Sequence, residues 1–386
     1  MHASRTGALW LCAAVVAGGL ARIVLAGRLP IGDDEAYYWL WSQHLAWSYP
    51  DHPPMIAAVV AASTHLFGDG VLGIRALAVL IATVTPLAVY VAGRDLFDER
   101  AAMLAGLITA MLPAFAVGTV FAFPDAPLAL FWGLALWAGW RALQEGGWWW
   151  VATGAAVGLA LLSKLTAFAL VLGFAGALAA GGWRRAVRDP GFYAGILVAA
   201  ALFAPVVIWN ARHDWFLLHI TLSREPWMTP RSIPENLLFF VGGQILYYGA
   251  LAPVLVGAAI AGVRRRHPAL RYLAWMSLPL LIAMGVAALG ARPKPHWPGP
   301  AYVSMALALG ALWDEWTQRR PGLFRASVAL TAGTTAALFV ALLLPWGPEQ
   351  VRLGIGHWER VADAISRQTV GGTDRVLVLT DTYQAA

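Results

Sequence analysis

Three consecutive carboxylates, Asp33, Asp34 and Glu35, stand directly before an aromatic run that begins at Tyr37. A carboxylate in such a setting can act as a general base or coordinate a cation. The alternative is a solvated loop, followed by Trp and Tyr residues that anchor an amphipathic helix at a membrane interface. The cluster therefore predicts either the centre of a reaction site or an interfacial anchor.

A second acidic position follows within reach, in the run Asp51-His52-Pro53-Pro54. Because proline suits the first turn of a helix, the two prolines predict a helix start with Asp51 near its N-terminus. Negative charge is favoured there, or an anion can be bound instead. Asp125 begins another predicted helix, where it serves either as an N-cap or as a site residue.

The chain has only two lysines, Lys164 and Lys294, and uses arginine elsewhere. Lys164 separates two apolar segments, so it either faces a cavity or partner, or snorkels to the interface. Lys294 lies in the proline-rich run 292–298, which is either a rigid turn or, with His296, a rigid set of donors suited to a phosphate group. Arg212 belongs to a further cation-rich segment with flanking aromatics, 209–215.

A divalent metal ion is a further possibility, although no spacing motif supports it. The candidate ligands are Asp51, His213 and His296. The single cysteine, Cys12, excludes an internal disulfide and a Cys-rich metal site.

Composition determines the class of protein in which these residues must work. Of 386 residues, 59% are hydrophobic and 12% are charged, against roughly 25% charged in a typical soluble domain. This excludes a soluble enzyme, a disordered chain and a nucleic-acid-binding domain, and indicates a polytopic all-α membrane protein. The net charge of +6 then reflects arginines in cytoplasmic loops rather than a nucleic-acid partner.

Hydropathy predicts about eleven transmembrane helices, each near the roughly 20 residues that a span requires. They lie at 7–27, 71–93, 101–121, 126–142, 149–163, 165–182, 191–209, 237–262, 270–290, 299–316 and 323–345. With eleven transmembrane helices, every short arginine-bearing loop falls on the same side of the membrane, and the positive-inside rule identifies that side as cytoplasmic. The first segment is not interpreted as a cleaved signal peptide.

The predicted organisation is a transmembrane domain, 1–345, and a periplasmic C-terminal tail, 346–386. Residues 28–70 form the first periplasmic loop, in which 53–67 is too short to span and is expected to lie in the interface. Residues 375–380 have the pattern of a strand. Since a lone strand is unstable, the tail is expected to pack on the membrane domain or to belong to a larger domain.

Six short motifs occur in order along the chain, at 34–38, 51–54, 124–127, 161–164, 209–215 and 294–298. Together they resemble bacterial integral-membrane glycosyltransferases of the GT-C fold, family 39, akin to protein O-mannosyltransferases and the lipid A aminoarabinose transferase. The resemblance covers residues from about 20 to 300. It implies the GT-C fold in the bacterial inner (plasma) membrane, with the active site facing the periplasm.

The resemblance also implies an inverting transfer from a sugar on a polyprenyl phosphate, such as undecaprenyl phosphate, to a lipid, glycan or protein of the cell envelope. It makes Asp34 the base or the group that orients the acceptor, with Glu35 in support. The active-site shell would then comprise Asp33, Tyr37, Asp51, His52 and Asp125. On physical grounds Lys164, Arg212, Lys294 and His296 are candidates to stabilise the departing phosphate.

Two other functions fit the same residues. A flippase or transporter for lipid-linked saccharides would place charges at several depths in the bilayer, and an inactive homologue would bind polyprenyl phosphate without chemistry. Relatives usually continue past the motif at 379–384 into a soluble periplasmic domain, which leaves the choice of acceptor open. No Gly-rich phosphate loop is present, so a nucleotide-sugar donor is not indicated.

Overall fold

A computed structural model describes residues 2–222 and 232–344. Within these ranges every regular element is helical, as the sequence predicts for the membrane domain. The predicted tail 346–386, with its strand at 375–380, lies outside the described residues. The first nine α-helices are α1 (His2–Arg28), α2 (Asp33–Gln43), α3 (Met55–Phe67), α4 (Val71–Leu96), α5 (Glu99–Met111), α6 (Pro113–Ala116), α7 (Asp125–Glu145), α8 (Trp148–Ser163) and α9 (Phe168–Ala180). The others are α10 (Trp183–Ala186), α11 (Pro190–Arg212), α12 (Phe216–Leu222), α13 (Ile233–Tyr248), α14 (Ala252–Arg264), α15 (Pro268–Trp275), α16 (Leu278–Ala287), α17 (Gly299–Arg319) and α18 (Pro321–Leu343).

All eleven predicted spans fall on helical segments, but the count of eleven is not confirmed. In the described part, five helical segments are long and apolar enough to cross a membrane. They are Leu9–Arg28, Val71–Leu96, Pro190–Arg212, Pro268–Ala287 (α15 and α16 together) and Pro321–Leu343. Two sharply bent helix pairs bring the number to seven if each pair is one span. Helices α8 and α9, with 16 and 13 residues, are shorter than the roughly 20 residues that a bilayer requires.

The bent pair α13–α14 corrects the single straight span predicted over 237–262. The two helices meet at 100°, and Gly249 between them has φ +73°, a conformation that favours glycine. A Cβ atom at Gly249 would lie 2.4 Å from Cγ2 of Thr331. Thr331 also accepts a hydrogen bond from the backbone N–H of Leu251 (3.0 Å). The bend therefore depends on the glycine and on a polar contact with α18.

The arginine-bearing loops lie on one face of the bundle. Ion pairs join the α4–α5 and α14–α15 connections and the end of α7 to neighbouring elements of that face: Arg100–Asp314 at 2.6 Å, Arg141–Asp95 at 2.9 Å, and Arg265–Glu315. We call this the arginine-rich face. The pairs agree with the predicted placement of these loops on one side of the membrane.

Helix α17 runs through the centre of the bundle, and its residues from Gly299 to Gly310 are all buried. One hydrogen bond and one aromatic contact help to set its position. Nε1 of Trp132 donates to Oγ of Ser304 (2.9 Å), and the ring of Tyr302 stacks on Tyr248 with centroids 3.6 Å apart. The core of packed side chains therefore includes buried polar groups that are paired across helices, as burial in a low-dielectric interior requires.

The first loop, 28–70, is attached to the bundle by a buried ion pair between Glu35 of α2 and Arg75 of α4. Both side chains are 0% exposed. Nε of Arg75 donates to Oε1 of Glu35 (2.7 Å) and Nη2 donates to Oε2. A bidentate arginine–carboxylate pair of this kind fixes orientation as well as distance.

The same two side chains also hold three backbone segments. Arg75 donates to the carbonyls of Ala26, Leu29 and Pro30 at the end of α1 (2.7–2.9 Å). Glu35 accepts from the N–H groups of Gly32 (3.0 Å) and Ala122 (2.8 Å). The pair therefore fixes the end of α1, the start of α2 and the segment before α7 relative to α4.

Replacing Arg75 with leucine should destabilise the protein strongly, by about 3–5 kcal/mol, because it leaves the Glu35 carboxylate buried without its partner. Thermal unfolding of the purified protein in detergent measures the effect. Arg94→Ala, on the same helix, is the control because its pair with Glu99 is solvent-exposed (57% and 36%), and such pairs contribute little. Equal unfolding midpoints for the two variants would contradict the prediction.

Candidate active site

A cavity of about 310 Å³ opens on the side of the bundle opposite the arginine-rich face. Five separate parts of the chain supply its polar lining: α2, the turn before α3, the start of α7, the end of α8 and the loop before α17. The charged and histidine side chains in the wall are Asp34, Asp51, His52, Asp125, Lys164, Lys294 and His296. Seven of the sequence-predicted site residues therefore lie around one space.

Asp34 is the second residue of α2 and stands next to the Glu35–Arg75 pair, which fixes the first turn of this helix. Burial raises the pKa of the Asp34 carboxyl, and the nearby Asp33 raises it too, whereas Lys294 and Lys164 lower it. A carboxylate with a raised pKa is a better proton acceptor, provided that it stays ionised at the working pH.

Asp51 and His52 are held by a small aromatic framework. The ring of Tyr49 stacks on Trp41 with centroids 4.3 Å apart, and its hydroxyl accepts from the N–H of Ala46 (2.9 Å). The N–H of Tyr49 in turn donates to the His52 carbonyl (3.1 Å). Helix α3 then begins at Met55 after the two prolines, as the sequence predicts, which leaves Asp51 just before its N-terminus.

Lys164 forms an ion pair with Asp125 inside the cavity. Its Nζ donates to both carboxylate oxygens at 2.9 Å, and its side chain is only 8% exposed. Lys164 therefore does not snorkel to the surface. Asp125 is the first residue of α7, whose N-cap position is taken by Pro124, so its carboxylate is available to this lysine rather than to the helix end.

The proline-rich loop before α17 presents Lys294 and His296 to the cavity. Its backbone is anchored by α13: Nε2 of Gln244 donates to the Pro295 carbonyl (3.0 Å), and the Tyr248 hydroxyl donates to the His296 carbonyl (3.2 Å). Burial, with a smaller effect from Lys164, lowers the pKa of His296 to about 4. His296 is therefore a neutral hydrogen-bonding group near pH 7 rather than a cation.

Three residues predicted near the reaction centre lie outside the cavity wall. Glu35 is fully buried and bound to Arg75, so its carboxylate does not reach the cavity. Asp33 is exposed, and Tyr37 packs on Trp41 with ring centroids 4.4 Å apart. Consecutive helical residues point about 100° apart, so the three acidic side chains cannot share one direction.

Arg212 and His213 also lie away from the cavity. Arg212 is exposed and stands over the ring of Trp47 at 5.9 Å, and His213 stacks on Trp209 with centroids 4.0 Å apart. The suggested metal ligands Asp51, His213 and His296 are therefore not brought together. In the part of the chain that the structure describes, no group of three His, Cys, Asp or Glu side chains could hold a metal ion.

Aromatic side chains of the wall were not predicted as site residues. Tyr38, Tyr247 and Tyr248 line the cavity together with Phe115, Phe121 and Phe123. Tyr38 is adjacent to Tyr37 in the pair Tyr37-Tyr38, of which only Tyr37 is predicted as a site residue. Tyr247 and Tyr248 reach the cavity only because α13 bends at Gly249, which hydropathy alone does not reveal.

Comparisons with known proteins agree with this architecture. Residues 51–209 match the family model described as dolichyl-phosphate-mannose-protein mannosyltransferase. The lipid A galacturonosyltransferase RgtD of Rhizobium johnstonii is 30% identical over 362 residues, which cover 90% of this chain and 74% of that protein.

Two solved structures have a similar fold. ArnT from Cupriavidus metallidurans bound to undecaprenyl phosphate superposes with a TM-score of 0.63 at 17% identity, covering 86% of this chain and 71% of ArnT. The apo oligosaccharyltransferase of Archaeoglobus fulgidus superposes with a TM-score of 0.56 at 17% identity, covering 95% of this chain and 58% of that one. The chain is thus a polytopic membrane protein that belongs to the GT-C fold glycosyltransferases of the family 39 group.

Proposed function

We propose that this protein transfers a sugar from a polyprenyl-phosphate-linked donor to an acceptor of the cell envelope, with inversion, on the periplasmic face of the bacterial inner membrane. The observation that carries the proposal is the cavity opposite the arginine-rich face. It places the Asp34 carboxyl and two lysines in one wall. The family of the chain and the undecaprenyl phosphate bound to the similar ArnT structure support the donor class.

In the proposed reaction the acceptor hydroxyl loses its proton to Asp34 while its oxygen attacks the anomeric carbon of the sugar. The bond between that carbon and the phosphate oxygen breaks, and the bonding electrons leave with the lipid phosphate. Lys164 and Lys294 stabilise the charge that develops on this phosphate, as cation clamps do in phosphoryl chemistry. Neutral His296 contributes a hydrogen bond. One in-line displacement inverts the anomeric centre.

In the absence of donor, Lys164 is paired with Asp125, and this pair stabilises the buried charge of Lys164. A lysine buried at the membrane boundary without a partner would be costly. Asp125 stabilises that charge and keeps its Nζ in the cavity. A phosphate that approaches Lys164 can then share the ammonium group, which has three donors.

The proposed acceptor class rests on a similar protein and not on the geometry of the cavity. The similar protein RgtD is named for transfer to lipid A, so lipid A is the first acceptor to test, ahead of other lipids, glycans and proteins. Mass spectrometry of envelope lipids and glycans from a deletion strain would identify the missing sugar and the molecule that carries it. An unchanged envelope profile would contradict the proposal.

Asp34→Asn should abolish sugar transfer, a loss of at least about 10²-fold in kcat, because the acceptor proton has no base. Binding of the polyprenyl-phosphate donor should persist. Asp33→Asn is the matched control, since Asp33 is exposed and does not line the cavity, and it should keep near-normal activity. Full activity of Asp34→Asn with a defined donor would remove Asp34 from the proposed mechanism.

Lys164→Ala should raise the apparent KM for the donor about tenfold, the loss of one charge-assisted contact to phosphate. Because this change also leaves Asp125 without its lysine, the double variant Asp125→Asn/Lys164→Met is needed to separate donor binding from folding. It should fold and still bind donor weakly. Arg212→Ala is the control for a cation outside the cavity. A normal KM in both Lys164 variants would show that Lys164 does not contact the donor.

The pH dependence of kcat/KM should report Asp34. Burial raises its pKa, and the base works deprotonated, so activity should rise with pH through a midpoint above the ordinary value of about 3.9 and then level off. His296, with its pKa lowered to about 4, is neutral once the pH is well above 4. Lys294→Gln should move the midpoint upward because Lys294 lowers the pKa of Asp34. A downward shift in that variant would contradict this assignment.

A further inference from the structure

A second cavity, of about 590 Å³, lies on the arginine-rich face, across the bundle from the proposed active site. It is enclosed by the α4–α5 connection, the α14–α15 connection and the last part of α17. Arg265, Arg266 and His267 form one wall, and Asp98 stands opposite. None of these residues takes part in the proposed transfer, so the cavity needs a separate explanation.

The cations of this wall differ in how they are engaged. Arg265 pairs with Glu315, which also takes Arg319 at 2.8 Å. Arg266 is exposed and, within the described part of the chain, has no ion pair. Asp98 caps α5 by accepting from the N–H of Ala101 (2.8 Å), so one of its oxygens already has a donor. Arg266 therefore offers its guanidinium group to an anion, while Asp98, the carboxylate of this lining, is held at one oxygen by the N-terminus of α5.

The floor of this cavity is apolar. Phe97, Leu270, Ala311 and Leu312 line it, and the ring of Phe97 lies 5.5 Å from His267. Leu270 and Leu312 are already buried, so a soluble phosphate would leave only the half-buried Phe97 and Ala311 of this floor in contact with water. An amphiphile would cover them with the first carbons of its chains, while its phosphate reaches the arginines.

We infer that this cavity binds the headgroup of an anionic phospholipid from the leaflet at the arginine-rich face. A phosphodiester would accept hydrogen bonds from Arg266 and from the outer donors of Arg265, and the glycerol and upper acyl carbons would lie on the half-buried Phe97 and Ala311. Basic pockets between membrane helices on the cytoplasmic side have the chemistry to hold such headgroups. The bound lipid would join α5, α14 and α17 at this face.

Native mass spectrometry of the full-length protein tests the inference. The protein is reconstituted in nanodiscs of phosphatidylcholine with phosphatidylglycerol and released into the gas phase. Wild type should retain phosphatidylglycerol, and Arg266→Ala should retain it about fivefold less, the effect expected for one arginine near an anionic headgroup. Because Arg266 is exposed, the variant should fold normally, and an unchanged unfolding midpoint would confirm this.

The matched control is Arg185→Ala. Arg185 is likewise exposed, lies in the arginine-bearing connection at α10 and does not line this cavity. It should retain phosphatidylglycerol as wild type does. Equal retention in Arg266→Ala and wild type would overturn the inference, and so would an equal loss in both variants, which would indicate unspecific charge attraction. Displacement of the lipid by millimolar inorganic phosphate would show that the cavity takes a soluble phosphate and would also overturn it.

Discussion

The buried pair of Glu35 and Arg75 is the constraint on which the geometry of the site depends. A fully buried ion pair is tolerated only when every donor and acceptor is satisfied, and here the remaining groups bind the backbone of α1, α2 and the segment before α7. Those segments carry Asp34 and lead to Asp125. A carboxylate that looks catalytic by sequence therefore holds its neighbour in place.

The charges of the molecule are divided between its two faces. Several arginines, among them Arg100, Arg141 and Arg265, pair with acidic side chains at the arginine-rich face. Asp34, Asp51, Asp125, Lys164 and Lys294 surround one cavity at the other face. Such a division favours chemistry at one membrane boundary over a transport path, which would need polar groups at several depths. In the proposed reaction the donor reaches the site by lateral diffusion in the membrane, so the site would need only to bind the donor phosphate and the acceptor.

Sequence reasoning predicted the helical class, the common side of the arginine loops and most of the polar cavity wall. The sequence identifies Asp34, Asp51, Asp125 and Lys164 as site residues because a charged side chain in an apolar chain is costly to bury and often has a function. The predictions that were wrong concern the direction in which a side chain points and the bending of a helix. Whether Glu35 or Asp34 faces the cavity depends on helix rotation and on a partner 40 residues away. The bend at Gly249 depends on packing against α18, and the position of Arg212 outside the cavity depends on a contact with Trp47 of the first loop.

The most direct test of the proposed site is a structure of the protein with bound undecaprenyl phosphate, determined by electron cryomicroscopy. The phosphate should lie in the cavity with an oxygen about 2.7–2.9 Å from Nζ of Lys164. Lys294 should stand near the same phosphate, and the Asp34 carboxyl should face the space left for the sugar and the acceptor hydroxyl. A phosphate bound outside the cavity, for example at Arg212, with the Lys164–Asp125 pair unchanged, would contradict the proposed active site.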